Sequence, residues 1–237
     1  MISANKCNTT LSKLKKVELT PPENAGFRWK GVKHLDFVNA VCKAATANGY
    51  TPGDPRLRVW LDGRKMCGAL PLTRKKPGPI TPWIGFTSSN AGDKMVRFYA
   101  GGVEDETGTT IILTTWTGGS YTLNFDIHAE LLRSFDTWMD AVEELPAVAS
   151  RLKATTLSAD EYGKLLFSVG RKKVLPMGRV MAVDAKYREA KVKTLWGFQT
   201  AVTEAVTLTS GPKQMDRLLG SYKLLCGFQR KSQTTGV

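Results

Sequence analysis

The chain of 237 residues is poor in the side chains that most often carry chemistry. It has two histidines, His34 and His128, and four cysteines, Cys7, Cys42, Cys67 and Cys226. No two cysteines stand in a CxxC spacing, so neither a zinc site nor a disulfide framework is expected, and they read as free cytosolic thiols. Two histidines cannot build a histidine-rich metal centre. A Walker loop GxxxxGK[ST] is missing, which argues against ATP use, and so are GxSxG, HExxH and a Cys/His nucleophile context. Long apolar runs are absent too. No window approaches the roughly 18 residues of a membrane span. Residues 1–16 are polar and lysine-dotted, without the apolar core of a signal peptide. No cofactor, catalytic residue or membrane contact is therefore expected, and the cytoplasm is the expected compartment.

Positive charge, by contrast, is abundant. There are 34 Lys and Arg against 21 Asp and Glu, a net of +13. Such a charge repels itself in a compact state, and a polyanionic partner is its simplest use. It is also segregated. Residues 1–101 carry 17 basic and 6 acidic side chains, a net of +11; residues 102–169 carry 4 and 11, a net of −7; residues 170–237 carry 13 and 4, a net of +9. A basic front and back flank an acidic middle, as if two basic segments converge on one surface.

Hydrophobic residues make up 42% of the chain, enough for a buried core. Residues 1–31 read as an irregular arm, 32–228 as one α+β domain (β-rich over 50–125, helical over 126–228) and 229–237 as a flexible tail. A first helix is expected over 35–45, with Asn48-Gly49 as its stop. From residue 56 the period becomes two. Strands are expected over 56–61 and 65–70, joined by a tight turn at Asp62-Gly63. Further strands are expected over 82–87, 94–100 and 109–116, with a short sixth over 121–125. Beyond these, Asp126 caps a helix expected to end near Glu144, before Pro146. Ser158 and Glu161 match a capping box for the next. Three more helices are expected, to about 191, over 194–208 and over 212–228. Strands and then helices in blocks indicate an antiparallel β-meander of five or six strands, with the C-terminal helical half packed on one face.

Alternation assigns the faces. Leu57, Val59 and Leu61 share one side of their strand, and Arg56, Arg58 and Trp60 the other. Arg97 and Tyr99 lie opposite Val96 and Phe98, and Trp83 lies opposite Ile84 and Phe86. Guanidinium groups neutralise phosphates and flat rings stack on unpaired bases, which is the physics of single-strand binding. Arg64 and Lys65 follow the hairpin turn. Arg74, Lys75 and Lys76 sit in a Pro/Gly-framed loop suited to a phosphate backbone, and Arg171, Lys172 and Lys173 form a second cluster. These fourteen side chains are the candidate nucleic-acid contacts. Two other readings compete: a protein–protein interaction module that uses the acidic middle, and a Mg²⁺-dependent nuclease built on Glu104, Asp105 and Glu106.

Residues 194–204, Thr-Leu-Trp-Gly-Phe-Gln-Thr-Ala-Val-Thr-Glu, resemble the TLWG…NAVTE helix of the phage/plasmid-like proteins, a mobile-element family. Residues 153–158 resemble the step before an earlier helix of that family, so the likeness covers about residues 150–225. Gln199-Thr200 replaces the usual polar-Asn step, and no catalytic residue carries over. The resemblance implies a phage or plasmid gene product in a bacterial cytoplasm, acting on DNA. The combined expectation is a phage-type single-stranded DNA-binding protein (RNA being the alternative ligand) for replication, recombination or annealing, or recruitment of a phage or host polymerase. A homo-oligomer is compatible with this expectation.

Overall fold

The computed structural model describes residues 7–22, 25–26, 28–74, 78–91, 96–119, 121, 125–190, 192–207 and 211–234. The fold is α+β, built on a six-stranded antiparallel sheet. Its strands are β1 (Thr51–Pro52), β2 (Arg56–Trp60), β3 (Lys65–Thr73), β4 (Ile80–Ser89), β5 (Arg97–Glu104) and β6 (Thr110–Thr117). From β3 to β6 the order is a plain meander, and β1 and β2 both pair with β3. The arm adds to the outer edge of β2: Thr9 bridges Leu57, and the Asn8 amide both accepts from Val59 N and donates to Val59 O. The sixth strand expected over 121–125 falls largely outside the described residues; the sixth strand of the sheet is β1 instead.

The alternation read from sequence holds in the register. Phe86 pairs with Phe98, and Ile84 with Ala100. On this face Phe37, from helix α2 (His34–Ala47), lies 5.5 Å from the Phe86 ring and 5.8 Å from the Phe98 ring. Helix α3 (Ile127–Ala154) covers the rest, since a side chain on Gly102 would run into Leu145. Asp126 caps α3 by accepting from His128 N at 2.8 Å.

Pro146 does not end α3, which runs on to Ala154. The proline ring points to solvent, where a lost hydrogen bond is tolerable. On the inner side Leu145, Val148, Ala149 and Leu152 continue a buried stripe, and that burial outweighs the local cost.

Four helices follow: α4 (Ala159–Arg171), α5 (Met177–Glu189), α6 (Leu195–Thr207) and α7 (Gly211–Thr234), with a single-turn α1 (Leu11–Leu14) far upstream in the arm. The capping box of α4 forms, with Glu161 accepting from Ser158 N and Ser158 Oγ accepting from Glu161 N. The helical half does not pack on one face as expected. Helix α3 joins α2 on one side, whereas α7 crosses the other, where a side chain on Gly85 would run into Met215. Helix α6 is buried at the end of β6, and Gln199 Nε2 donates to Thr110 O there at 2.8 Å. Leu195, Phe198, Val202 and Val206 of the TLWG-like segment are all core residues.

Candidate nucleic-acid interface

The sheet face under α7 carries the basic side chains. Residues in register line up across five strands: Arg58, Cys67, Thr87, Arg97 and Thr117 form one row. Arg56, Ala69, Gly85, Tyr99 and Thr115 form a second, and Trp60, Lys65 and Ser89 a third. Small residues separate the cations, and of these Cys67, Ala69 and Gly85 are buried while Thr87 is partly exposed. At one strand spacing per step, Arg58 and Arg97 stand about 14 Å apart. Arg56 and Arg97 are exposed, while Arg58, Trp60, Lys65 and Thr87 are half-buried, so solvent reaches this side of the sheet.

Arg97 is held at the margin of α7. Its guanidinium lies 3.6 Å from Asp216, and both side chains are about half exposed. The same carboxylate accepts the Tyr99 hydroxyl at 2.9 Å. Burial, reinforced by that carboxylate, drives the Tyr99 phenol far above its ordinary pKa, so it serves as a fixed donor.

The turn between β2 and β3 presents Trp60, Arg64 and Lys65. Leu61 and Asp62 adopt positive φ (55° and 51°), followed by Gly63 at 83°. A glycine suits this last position because its backbone is left-handed. His34 braces the turn from below. Its Nε2–H donates to Gly63 O at 2.7 Å, while its Nδ1 accepts from Ser88 Oγ, which in turn meets the Tyr121 hydroxyl at 2.6 Å. Burial lowers the imidazole pKa to about 4, against the opposing pull of the Gly63 carbonyl, and the ring is neutral at pH 7.

Several expected contacts lie elsewhere. Trp83 is 0% exposed and Tyr99 1% exposed, both beneath α7, so neither ring can stack on a base. Trp60 is the one aromatic side chain of the expected set that solvent reaches. Arg74 belongs to the other side of the sheet. It lines a cavity with Val142 and Leu145 of α3, and its guanidinium sits 5.7 Å from the Tyr50 ring centroid. Lys75 and Lys76 lie outside the described residues.

The second cluster, Arg171, Lys172 and Lys173, is exposed at the end of α4. Lys173 takes a positive φ of 54°, which turns the chain so that Val174 packs on Gly220 of α7. One turn earlier α7 carries Asp216, which meets Arg97, and Arg217, which feels the charge of Arg179 on α5. Burial and then Arg179 lower the Arg217 pKa, and among the described residues neither arginine has an acidic partner at ion-pair distance. Helix α7 is thus the element that touches both basic segments. Sequence reasoning missed Arg179 and Arg217, because no local pattern brings α5 to α7.

Acidic residues crowd the opposite layer. Asp136, Asp140 and Glu143 are exposed on the outer side of α3, while Glu144, also exposed, is near enough to Tyr222 of α7 that, beside burial, its charge helps raise that phenol. The 104–106 triplet is not an open carboxylate cluster. Glu104 is buried, paired with Lys153, and accepts from Thr107 at 2.5 Å and from Trp196 Nε1 at 3.1 Å. Burial works to raise this carboxyl, but those hydrogen bonds outweigh it and hold the group below the usual carboxylate range. Asp105 accepts from the Thr81 hydroxyl. Among the described residues no three His, Cys, Asp or Glu side chains stand close enough to share a metal ion. No helix among the described residues is long and apolar enough to cross a membrane. No protein-family model, curated protein or solved structure matches the chain.

Proposed function

We propose that this chain binds single-stranded DNA, gripping the sugar-phosphate backbone on the basic sheet face and stacking one base on Trp60. The observation that carries the reading is the row from Arg58 to Arg97: two arginines on a solvent-accessible face, separated by the small residues Cys67 and Thr87. Arginine forks suit phosphate oxygens; Cys67 is fully buried and Thr87 half-buried between them, so a backbone would run over the arginine side chains rather than on the strands themselves. Asp136, Asp140 and Glu143 of α3 lie on the opposite layer, which favours approach of a polyanion from the basic side. Arg217, Arg179 and the 171–173 cluster extend the path past α7. The service performed is replication, recombination or annealing, or polymerase recruitment in a mobile element, a context that rests on the 194–204 resemblance.

With only Trp60 available for stacking, phosphate contacts supply most of the affinity and the preference for unpaired strands is modest. Competition between labelled single-stranded and duplex DNA of equal length measures it. The single strand should bind tighter, and Trp60→Ala should reduce the difference by the 1–3 kcal/mol of one stacked base, about 5- to 150-fold. Equal affinity for both forms, unaltered in Trp60→Ala, would remove stacking from the account. RNA of the same sequence, run in parallel, separates the two polymers.

A further inference from the structure

We infer that the α4–α5 hairpin is a self-association surface, on which a second copy of this chain packs α4 against α4 in antiparallel fashion about a two-fold axis. Helix α4 is buried on its inner side through Leu165 and Val169, yet its outer side carries Phe167 at 67% exposure. Met177 and Met181, one turn apart on α5, are 69% and 68% exposed. Between the helices lies an open groove of about 500 Å³, lined by Gly163, Leu166, Phe167, Gly170 and Met177. Three large apolar side chains left together in water form the kind of patch that marks a contact surface.

Two glycines point the same way. Gly163 stands inside α4, where glycine costs roughly 1 kcal/mol relative to alanine, and Gly178 in the first turn of α5. A Cβ at either position would meet nothing within 4 Å, so packing within the chain does not require the missing side chain. Close approach of a neighbouring helix backbone would.

Charge selects the occupant. Helix α4 is acidic in its first turn, at Asp160 and Glu161, and basic at its end, at Arg171, Lys172 and Lys173. Antiparallel pairing of two copies sets the acidic start of each against the basic end of the other, twice, and opposes the helix dipoles. Parallel pairing would set like against like. A two-fold contact is self-complementary and closes at the dimer. The contact shares Arg171, Lys172 and Lys173 with the proposed nucleic-acid path, but its test contains no nucleic acid, so the two readings fail separately.

Sedimentation velocity of the full chain over a concentration series decides it. A concentration-dependent monomer–dimer equilibrium is expected. Phe167→Asp combined with Met181→Glu should give a monomer at every concentration, with a thermal melt equal to that of the wild type at concentrations where the wild type is monomeric, since both positions are exposed in the single chain. Asp160→Lys should weaken the dimer, and adding Arg171→Glu, on the same helix face as Phe167 and lining the groove, should restore it, because the pair then meets with its signs exchanged. A wild type that stays monomeric throughout overturns the inference and gives the groove to a different protein. A dimer that survives the Phe167/Met181 double variant overturns it as well, as does a charge exchange that fails to rescue.

Discussion

Arg97 and Asp216 stand 3.6 Å apart where β5 meets α7, and this contact sets a carboxylate at the edge of an otherwise basic face. The pair is half exposed, so it adds little stability, typically 0–1 kcal/mol. Its larger effect is on a polyanion, which must compete with Asp216 for Arg97. Asp216→Asn keeps an acceptor for the Tyr99 hydroxyl and removes the competing charge. This variant should bind single-stranded DNA several-fold tighter at low salt, with an unchanged melting temperature. Weaker binding would place the strand away from α7.

Trp60 and Trp83 should part company on substitution. Trp83 is fully buried, and Trp83→Ala should destabilise the fold by about 3–5 kcal/mol through lost burial and a cavity. Trp60→Ala should cost less, because its ring is only half-buried, and should act mainly on DNA affinity. Chemical denaturation beside anisotropy binding separates the two effects.

The alternation of Arg56, Arg58 and Trp60 with Leu57 and Val59 identifies the basic face from sequence, because a strand's two sides are fixed by its period. Its depth of burial is not legible in the same way. Trp83 and Tyr99 fall on the basic face as expected, but α7, more than a hundred residues downstream, lies over them. Arg74 shows a similar limit: a Pro/Gly-rich neighbourhood reads as an open loop, yet the side chain packs beneath α3 and over Tyr50. Pro146 reads as a breaker until the apolar stripe beyond it is seen to continue onto the sheet. The capping box of α4 and the turn at Asp62-Gly63 are short-range devices. The capping box forms as read; the turn forms too, but as a four-residue loop that takes in Leu61, expected in the strand, at positive φ.

His34 links pH to the binding turn. Its folded pKa of about 4 lies below the ordinary 6.5, so the unfolded chain binds the proton more readily. The stability associated with neutral His34 is complete above pH 6.5 and is lost progressively as pH falls toward 4. The shift corresponds to about 3 kcal/mol. Denaturant midpoints should therefore fall between pH 6.5 and 4, and the fall should be shallower in His34→Asn. Because the folded ring takes up its proton only near pH 4, the DNA affinity of the folded wild type should hold across this interval and change only as pH approaches 4. A midpoint that is flat with pH would contradict the bracing role.

Glu104 behaves as a structural carboxylate. Glu104→Gln keeps the shape but leaves Lys153 without its partner, and should destabilise the fold by about 1–3 kcal/mol. The carboxyl is held below its usual range, so its contribution is present above the ordinary carboxylate pKa and fades as pH falls through the lowered one. DNA incubated with the wild type and Mg²⁺ should remain intact. Cleavage that vanishes in Glu104→Gln while the fold persists would restore the nuclease reading.

The most direct test of the central claim is the salt dependence of single-stranded DNA binding, compared between the wild type and the Arg56→Ala, Arg58→Ala, Arg97→Ala triple variant. Each phosphate contact on a single strand contributes about 0.7 to the slope of log affinity against log salt. The account predicts a steep wild-type slope that falls by about 2 in the triple variant, with the fold intact. No binding at low salt, or a slope that the three substitutions leave unchanged, would contradict it.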